Sequence, residues 1–234
     1  METHRQQHIE HLRSELLRMG AAVEKSIAEA LQSLVDRDAA LARRVIEDGQ
    51  RIDSWEVAIE DEAIRLMATL QPVASDLRML AVVIKVNYDL ERINDQAVNM
   101  AERALVLSSL PTLKPLIDLP RMAHIAQGMV RDALNALVQR DEALASDVCR
   151  RDEQLDQLRD QVFRELLTYM HGGEPGTIDR AIHLILVSRH LERIGDHASN
   201  IAENVVFLVE GRIVRHQKNG WAVPDAHRDT EARR

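Results

Sequence analysis

Apolar residues recur every third or fourth position along most of this chain. From about His4 to Val35, Ile9, Leu12, Leu16, Met19, Val23, Ile27, Ala30 and Leu34 fall on one face of a long helix. Asp36-Arg37-Asp38 breaks that period and offers N-cap chemistry for a second helix running to about Leu70. Gln71-Pro72 interrupts it, because proline disfavours helix at the residue before it. A third helix is predicted from about Ala74 to Ser108. Leu110-Pro111 through Leu119-Pro120 carries three prolines and reads as a linker. The pattern then restarts, with helices over about Pro120 to Val138, Asp141 to His171 and Thr177 to Glu210, the last two separated by the breaker Gly172-Gly173-Glu174-Pro175-Gly176.

The restart is a copy. Asp89-Leu90-Glu91-Arg92-Ile93-Asn94-Asp95-Gln96-Ala97-Val98-Asn99-Met100-Ala101-Glu102 returns 101 residues later as His190-Leu191-Glu192-Arg193-Ile194-Gly195-Asp196-His197-Ala198-Ser199-Asn200-Ile201-Ala202-Glu203. Arg37-Asp38-Ala39-Ala40-Leu41-Ala42 matches Arg140-Asp141-Glu142-Ala143-Leu144-Ala145 at an offset of 103, which also places Asp53 on Asp156. The two-residue change of offset belongs in the loop after each second helix, where length changes cost least. The predicted fold is therefore all-α: six long helices in two tandem three-helix bundles related by an internal repeat. The bundles are expected over 1–109 and 120–211, with a linker at 110–119 and a polar, disordered tail at 212–234.

The repeated segment carries the candidate chemistry. At about 100° per residue, Glu91, Asp95, Asn99 and Glu102 share one helical stripe, as do Glu192, Asp196, Asn200 and Glu203. Leu90, Ile93, Ala97, Val98 and Ala101 form the adjoining apolar sector, while Arg92 and Arg103 are expected to point away. Asp53 and Asp156 in the preceding helices are the expected further contributors, with Glu56, Glu60, Asp152 and Asp160 behind them. Like charges three or four residues apart weaken a helix by a few tenths of a kcal/mol per pair. An oxygen-rich cluster that tolerates this suits a hard cation, magnesium, manganese or an iron ion, better than a structural zinc site. The competing reading is a solvated face partly neutralised by arginines. A ferritin-like di-iron centre would need Glu-x-x-His in equivalent places. Here His190 and His197 of the second copy stand opposite Asp89 and Gln96 of the first.

Composition narrows the classes. Hydrophobic residues make up 45% with only 3% aromatic, and nine glycines and six prolines leave room for few turns, which favours packed helices. Phe163, Tyr169 and Met170 read as core. A net charge of −8 argues against a nucleic-acid binder. The longest apolar run, Met79 to Ile84, cannot span a bilayer, and a lone Cys149 fits a reducing, cytoplasmic setting. P-loop, CxxC, HExxH, GxSxG and Rossmann glycine patterns are absent from the sequence. Asp76-Leu77-Arg78 reads as a local cap and charge pair.

The runs Gln71-Pro72-Val73-Ala74-Ser75-Asp76-Leu77-Arg78, Leu90-Glu91-Arg92-Ile93-Asn94-Asp95 and Leu191-Glu192-Arg193-Ile194-Gly195-Asp196 together resemble the PhoU family of bacterial regulators of phosphate uptake and signalling. The resemblance covers about residues 5 to 216, Arg215-His216 included. It implies two three-helix bundles, no enzymatic activity, and restraint of the phosphate regulon when phosphate is plentiful. It also implies an adaptor that joins PstB, the ATPase of the phosphate ABC transporter, to the sensor histidine kinase PhoR. Contact with the inner membrane would come only through such partners, and a homo-oligomer, most simply a dimer, completes the expectation. The E/D-x-x-x-D motifs that bind metal in some members fall on Glu91 and Asp95 and on Glu192 and Asp196, approached by Asp53 and Asp156. Iron, manganese, magnesium or zinc are the ions this implies.

This chain departs from the family pattern twice. Asn94 stands where the motif usually has glycine, which bears on how closely the helices of the first bundle approach. The second bundle has Glu174-Pro175-Gly176-Thr177-Ile178-Asp179 in place of the Pro-Val-Ala-Ser-Asp-Leu-Arg run, which implies unequal modules with metal sites of unequal affinity. Two other function classes stay open: a metalloenzyme using the carboxylates, and a metal-free helical module whose acidic stripe receives a basic partner.

Overall fold

The computed structural model describes residues 2–172 and 175–214, with side chains from Gln6 onward. Glu174, Arg215-His216 and the expected tail beyond 214 lie outside the described residues. Six helices are present among those described: α1 (Glu2–Val35), α2 (Ala39–Leu70), α3 (Ala74–Ser108), α4 (Asp118–Gln139), α5 (Glu142–His171) and α6 (Thr177–Glu210).

Local chemistry explains the boundaries. Arg37 and Arg140, equivalent in the two copies, both adopt left-handed backbone, with φ of 57° and 55°. Each is followed by an aspartate N-cap. Asp38 accepts from the amides of Ala40 and Leu41 at 2.9 Å, and Asp141 from that of Leu144 at 3.0 Å. The break between first and second helix is thus repeated down to its hydrogen bonds. α2 stops at Gln71, also left-handed, ahead of Pro72. α4 begins at Asp118, two residues before the predicted start, because Pro120 is tolerated in a first turn whose amides have no helical acceptor.

The apolar stripes meet in one continuous core that includes Leu16, Val23, Leu66, Leu90, Ile93, Met129, Leu155, Leu166 and Ile194, all fully buried. α1, α2 and α3 pack on one another, as do α4, α5 and α6; α3 lies on α6 and α1 on α4. α2 and α5 touch only helices of their own bundle, so they flank a central layer of four. Phe163 and Tyr169, expected in the core, are instead exposed on α5, whose only buried stripe faces inward. The linker is held down: the Arg37 guanidinium donates to the carbonyls of Ser108 and Leu110, and buried Lys114 pairs with Glu165 and Asp118.

The α3–α6 seam explains the unequal histidines. His197 Nδ1 lies 2.9 Å from Asp89 Oδ1, and His190 Nδ1 lies 2.9 Å from Gln96 Oε1. Under the 101-residue offset each pair maps onto the other, so the seam is a two-fold-like contact between copies. The substitutions at these positions are complementary partners across it. Arg78 likewise works between bundles. It donates to the Leu208 carbonyl at 3.3 Å, lies 6.0 Å over the Phe207 ring and covers the left-handed Gly211, so it closes the end of α6.

Candidate metal centre

The first bundle assembles three carboxylates from two helices. Asp53 on α2 and Glu91 and Asp95 on α3 each bring one oxygen within 4.8 Å of the others. Their approach depends on Gly49, one turn before Asp53, where a Cβ would sit 2.9 Å from Val98 Cγ2. Opposite it, Asn94 is buried, and neither its Nδ2 nor its Oδ1 has a hydrogen-bond partner among the described residues. The glycine absent from α3 is thus replaced by one on α2.

Electrostatics mark this cluster as under-compensated. Burial, then the Asp95 charge, pushes the Glu91 carboxyl up to about 7, against the opposing pull of Arg92. Asp53 is raised by burial and Asp95; Glu56 is raised by burial, Glu60 and Asp53. Arg92 does not point away as expected. Its long side chain bends back to donate to Asp95 at 2.8 Å while lying 5.6 Å over the Tyr88 ring. That pairing is peripheral: Arg92 stays 43% exposed, and its Nη1 lies 2.8 Å from Asp95 and 3.9 Å from Glu91 without reaching across to α2.

The second bundle keeps the carboxylates but arranges them differently. Asp156 on α5 and Glu192 on α6 are bridged by Arg159, whose Nη1 lies 3.0 Å from Asp156 and also donates to Glu192. Its Nη2 reaches Asp160 at 2.9 Å. Asp152 lies deeper, raised to about 7 by burial and by Asp196, Asp156, Glu192 and Glu203, and Asp196 is raised too, by burial first. Gly195 makes room for this: a Cβ there would fall 2.5 Å from Leu155 Cδ2 and 3.2 Å from Asp152 Oδ1. Gly49 facing Asn94 and Asp152 facing Gly195 are the same contact with its small partner exchanged.

The other stripe residues are spread out. Glu102 pairs with Arg103 at 3.0 Å, so Arg103 also reaches back to its own stripe. Asn200 donates to Asp89 at 3.3 Å, in the α3–α6 seam. Glu203 acts on Asp152 and on Cys149, whose half-buried thiol is pushed up to about 12 by burial first. Asn99 is half-buried on α3, outside the convergent triad. The residues that sequence reasoning missed are Gly49 and Arg159. The 103-residue register would have found the latter, since it sets Arg159 against Glu56.

The donor set of the first bundle, three anionic oxygens beside a buried amide without partners, fits a hard cation such as Mg²⁺, Mn²⁺ or an iron ion. The model of the PhoU domain matches twice, over residues 16–104 and 119–205. A Caulobacter vibrioides protein named phosphate-specific transport system accessory protein PhoU homolog is 40% identical over 209 residues, 89% of this chain and 90% of its own. An Aquifex aeolicus protein of the same name is 41% identical, over 89% of this chain and 94% of its own. The crystal structure of PhoU from Pseudomonas aeruginosa superposes with a TM-score of 0.85 at 39% identity, over 88% of this chain and 99% of that one. The phosphate transport system regulatory protein PhoU from Streptococcus pneumoniae gives 0.83 at 28% identity, over 90% and 99%.

Proposed function

The chain belongs to the PhoU family, and on that premise we propose that it is an accessory protein of a phosphate-specific transport system that restrains phosphate uptake and the phosphate regulon. The observation that carries this reading is identity of about 40% to proteins of that name across nine-tenths of both chains. It works by contact and not by turnover, as an adaptor between the ATPase subunit of a phosphate ABC transporter and a sensor histidine kinase. No described helix is long and apolar enough to cross a membrane. Association with the membrane therefore runs through those partners, from the cytoplasmic side.

Asp53, Glu91 and Asp95 are the residues that hold a cation in this reading. A bound ion supplies positive charge where three carboxylates converge, and so ties the flanking helix α2 to α3. That couples the outer face of the first bundle to metal supply. The test is a binding assay with purified ATPase subunit and kinase, at high and low phosphate, with and without Mn²⁺. Binding to at least one of them that responds to phosphate or Mn²⁺ supports the reading. Binding to neither under any condition overturns it.

A further inference from the structure

The two copies can be compared residue by residue because their cores keep register. Under the 103-residue offset, Val45, Ile52, Ile59 and Ala63 of α2 fall on Val148, Leu155, Val162 and Leu166 of α5, and all eight are buried. The same offset sets Asp53 on Asp156 and Glu56 on Arg159. On the third helices Glu91 falls on Glu192 and Asp95 on Asp196. The carboxylates are thus retained, and one flanking acid has become a base.

We infer that Arg159 is a tethered cation that fills the carboxylate cluster of the second bundle and keeps metal out of it, so that only the first bundle is metal-responsive. Three observations carry this. The guanidinium joins Asp156 on α5 to Glu192 on α6, the pair of helices an ion would have to bridge. The fork is spread over a third carboxylate, Asp160. Among the described residues, carboxylates whose oxygens converge within 4.8 Å occur at Asp53, Glu91 and Asp95, while Asp156, Glu192 and Asp196 do not converge. Arg92 in the first bundle is no equivalent. It is itself repeated as Arg193, pairs with Glu91 and Asp95 on its own helix without bridging to α2, and leaves the triad closed.

The physics favours the fixed cation. A planar guanidinium meets carboxylates through several charge-assisted hydrogen bonds, and being covalently held it acts at high local concentration. A metal ion entering beside it would meet a like charge, and displacing it would strand a side chain that is only 29% exposed. The second bundle then carries a permanent positive charge on α5, whereas the first depends on what the solution provides. The expected pair of sites of unequal affinity becomes one metal site and one internal salt bridge.

This rests on the metal reading of the first bundle only for its biological meaning; its test is separate. Chelator-treated full-length protein would be titrated with Mn²⁺, following free ion by electron paramagnetic resonance, with circular dichroism as the control for folding. Glu192→Gln in the wild-type background should leave Mn²⁺ binding unchanged. Arg159→Gln should add one Mn²⁺ per chain, bound at least about tenfold more tightly than any residual binding of the wild type at that bundle, and Glu192→Gln on top should remove it again. Arg159→Lys, which keeps the charge, should add none. Loss of Mn²⁺ from otherwise wild-type protein on Glu192→Gln overturns the inference, as does a folded Arg159→Gln variant that gains no ion. Glu91→Gln reports on the first bundle alone. If it leaves wild-type binding intact, the metal reading of that site fails while the Arg159 arms still decide their own question.

Discussion

Glu91→Gln should make the metal-free protein more stable at pH 8 and leave it unchanged at pH 4. The Glu91 carboxyl titrates at about 7 in the folded chain against an ordinary 4.5. A carboxylate raised in this way destabilises the fold when charged, so its penalty is full above about pH 7, fades as pH falls, and is gone below about 4.5. Converted at about 1.4 kcal/mol per pH unit, that difference corresponds to about 3 kcal/mol. Asp53 is exposed and water reaches the cluster, so screening reduces the net effect to about 1–2 kcal/mol. Urea denaturation in chelator at pH 8 and pH 4 reads it directly. Adding Mn²⁺ at about a hundred times its dissociation constant should then stabilise the wild type by about 2.7 kcal/mol and the variant by less, so the wild type overtakes. A variant less stable than wild type at pH 8 in chelator, or equally stabilised at both pH values, would refute the reasoning that uncompensated charge is stored at this site.

Three further outcomes follow from contacts elsewhere. Gly195→Asn, the residue of the first copy, should cost about 1–3 kcal/mol by overpacking Leu155 and Asp152, and Asp152→Gly should recover part of it; strictly additive costs in a double-mutant cycle would contradict the exchanged small partner. Arg78→Ala should destabilise by about 1–2 kcal/mol and speed amide exchange in the last turn of α6, and unchanged exchange there would count against its capping role. His190 is lowered from 6.5 to about 4 by burial and by Arg193, so the unfolded chain takes up its proton first and stability falls as pH drops from about 6.5 towards 4. His190→Gln should flatten that acid limb in denaturation curves, and a limb of unchanged slope would rule the residue out as its source.

The fold was legible because its information is local and repeated. Period-3.6 stripes, two aspartate caps after left-handed arginines and a proline-marked linker are all short-range signals, and the helices fall within two residues of their predicted bounds. The convergence of Asp53 with Glu91 and Asp95 was legible for the same reason: helical spacing aligns the two on α3, and the repeat singles out the third. Partnership across space was not. Asp89 with His197 and Gln96 with His190 look like a broken repeat in one dimension and are complementary only once α3 lies on α6. The Cα–Cβ direction turns Arg92 and Arg103 away from the stripe, but long guanidinium side chains fold back to carboxylates on their own helix. Arg78, read as a local charge pair, reaches the end of a helix 130 residues away. Hydrophobicity alone places Phe163 and Tyr169 inside, although α5 flanks the molecule and buries one side only.

The most direct test of restraint by contact is alkaline phosphatase activity in phosphate-rich medium, in cells lacking this gene and in cells complemented with wild type or with Glu91→Gln/Asp95→Asn protein. The account predicts high activity in the deletion, return to low activity with wild type, and incomplete return with the carboxylate variant. Activity that stays low when the gene is absent would contradict it.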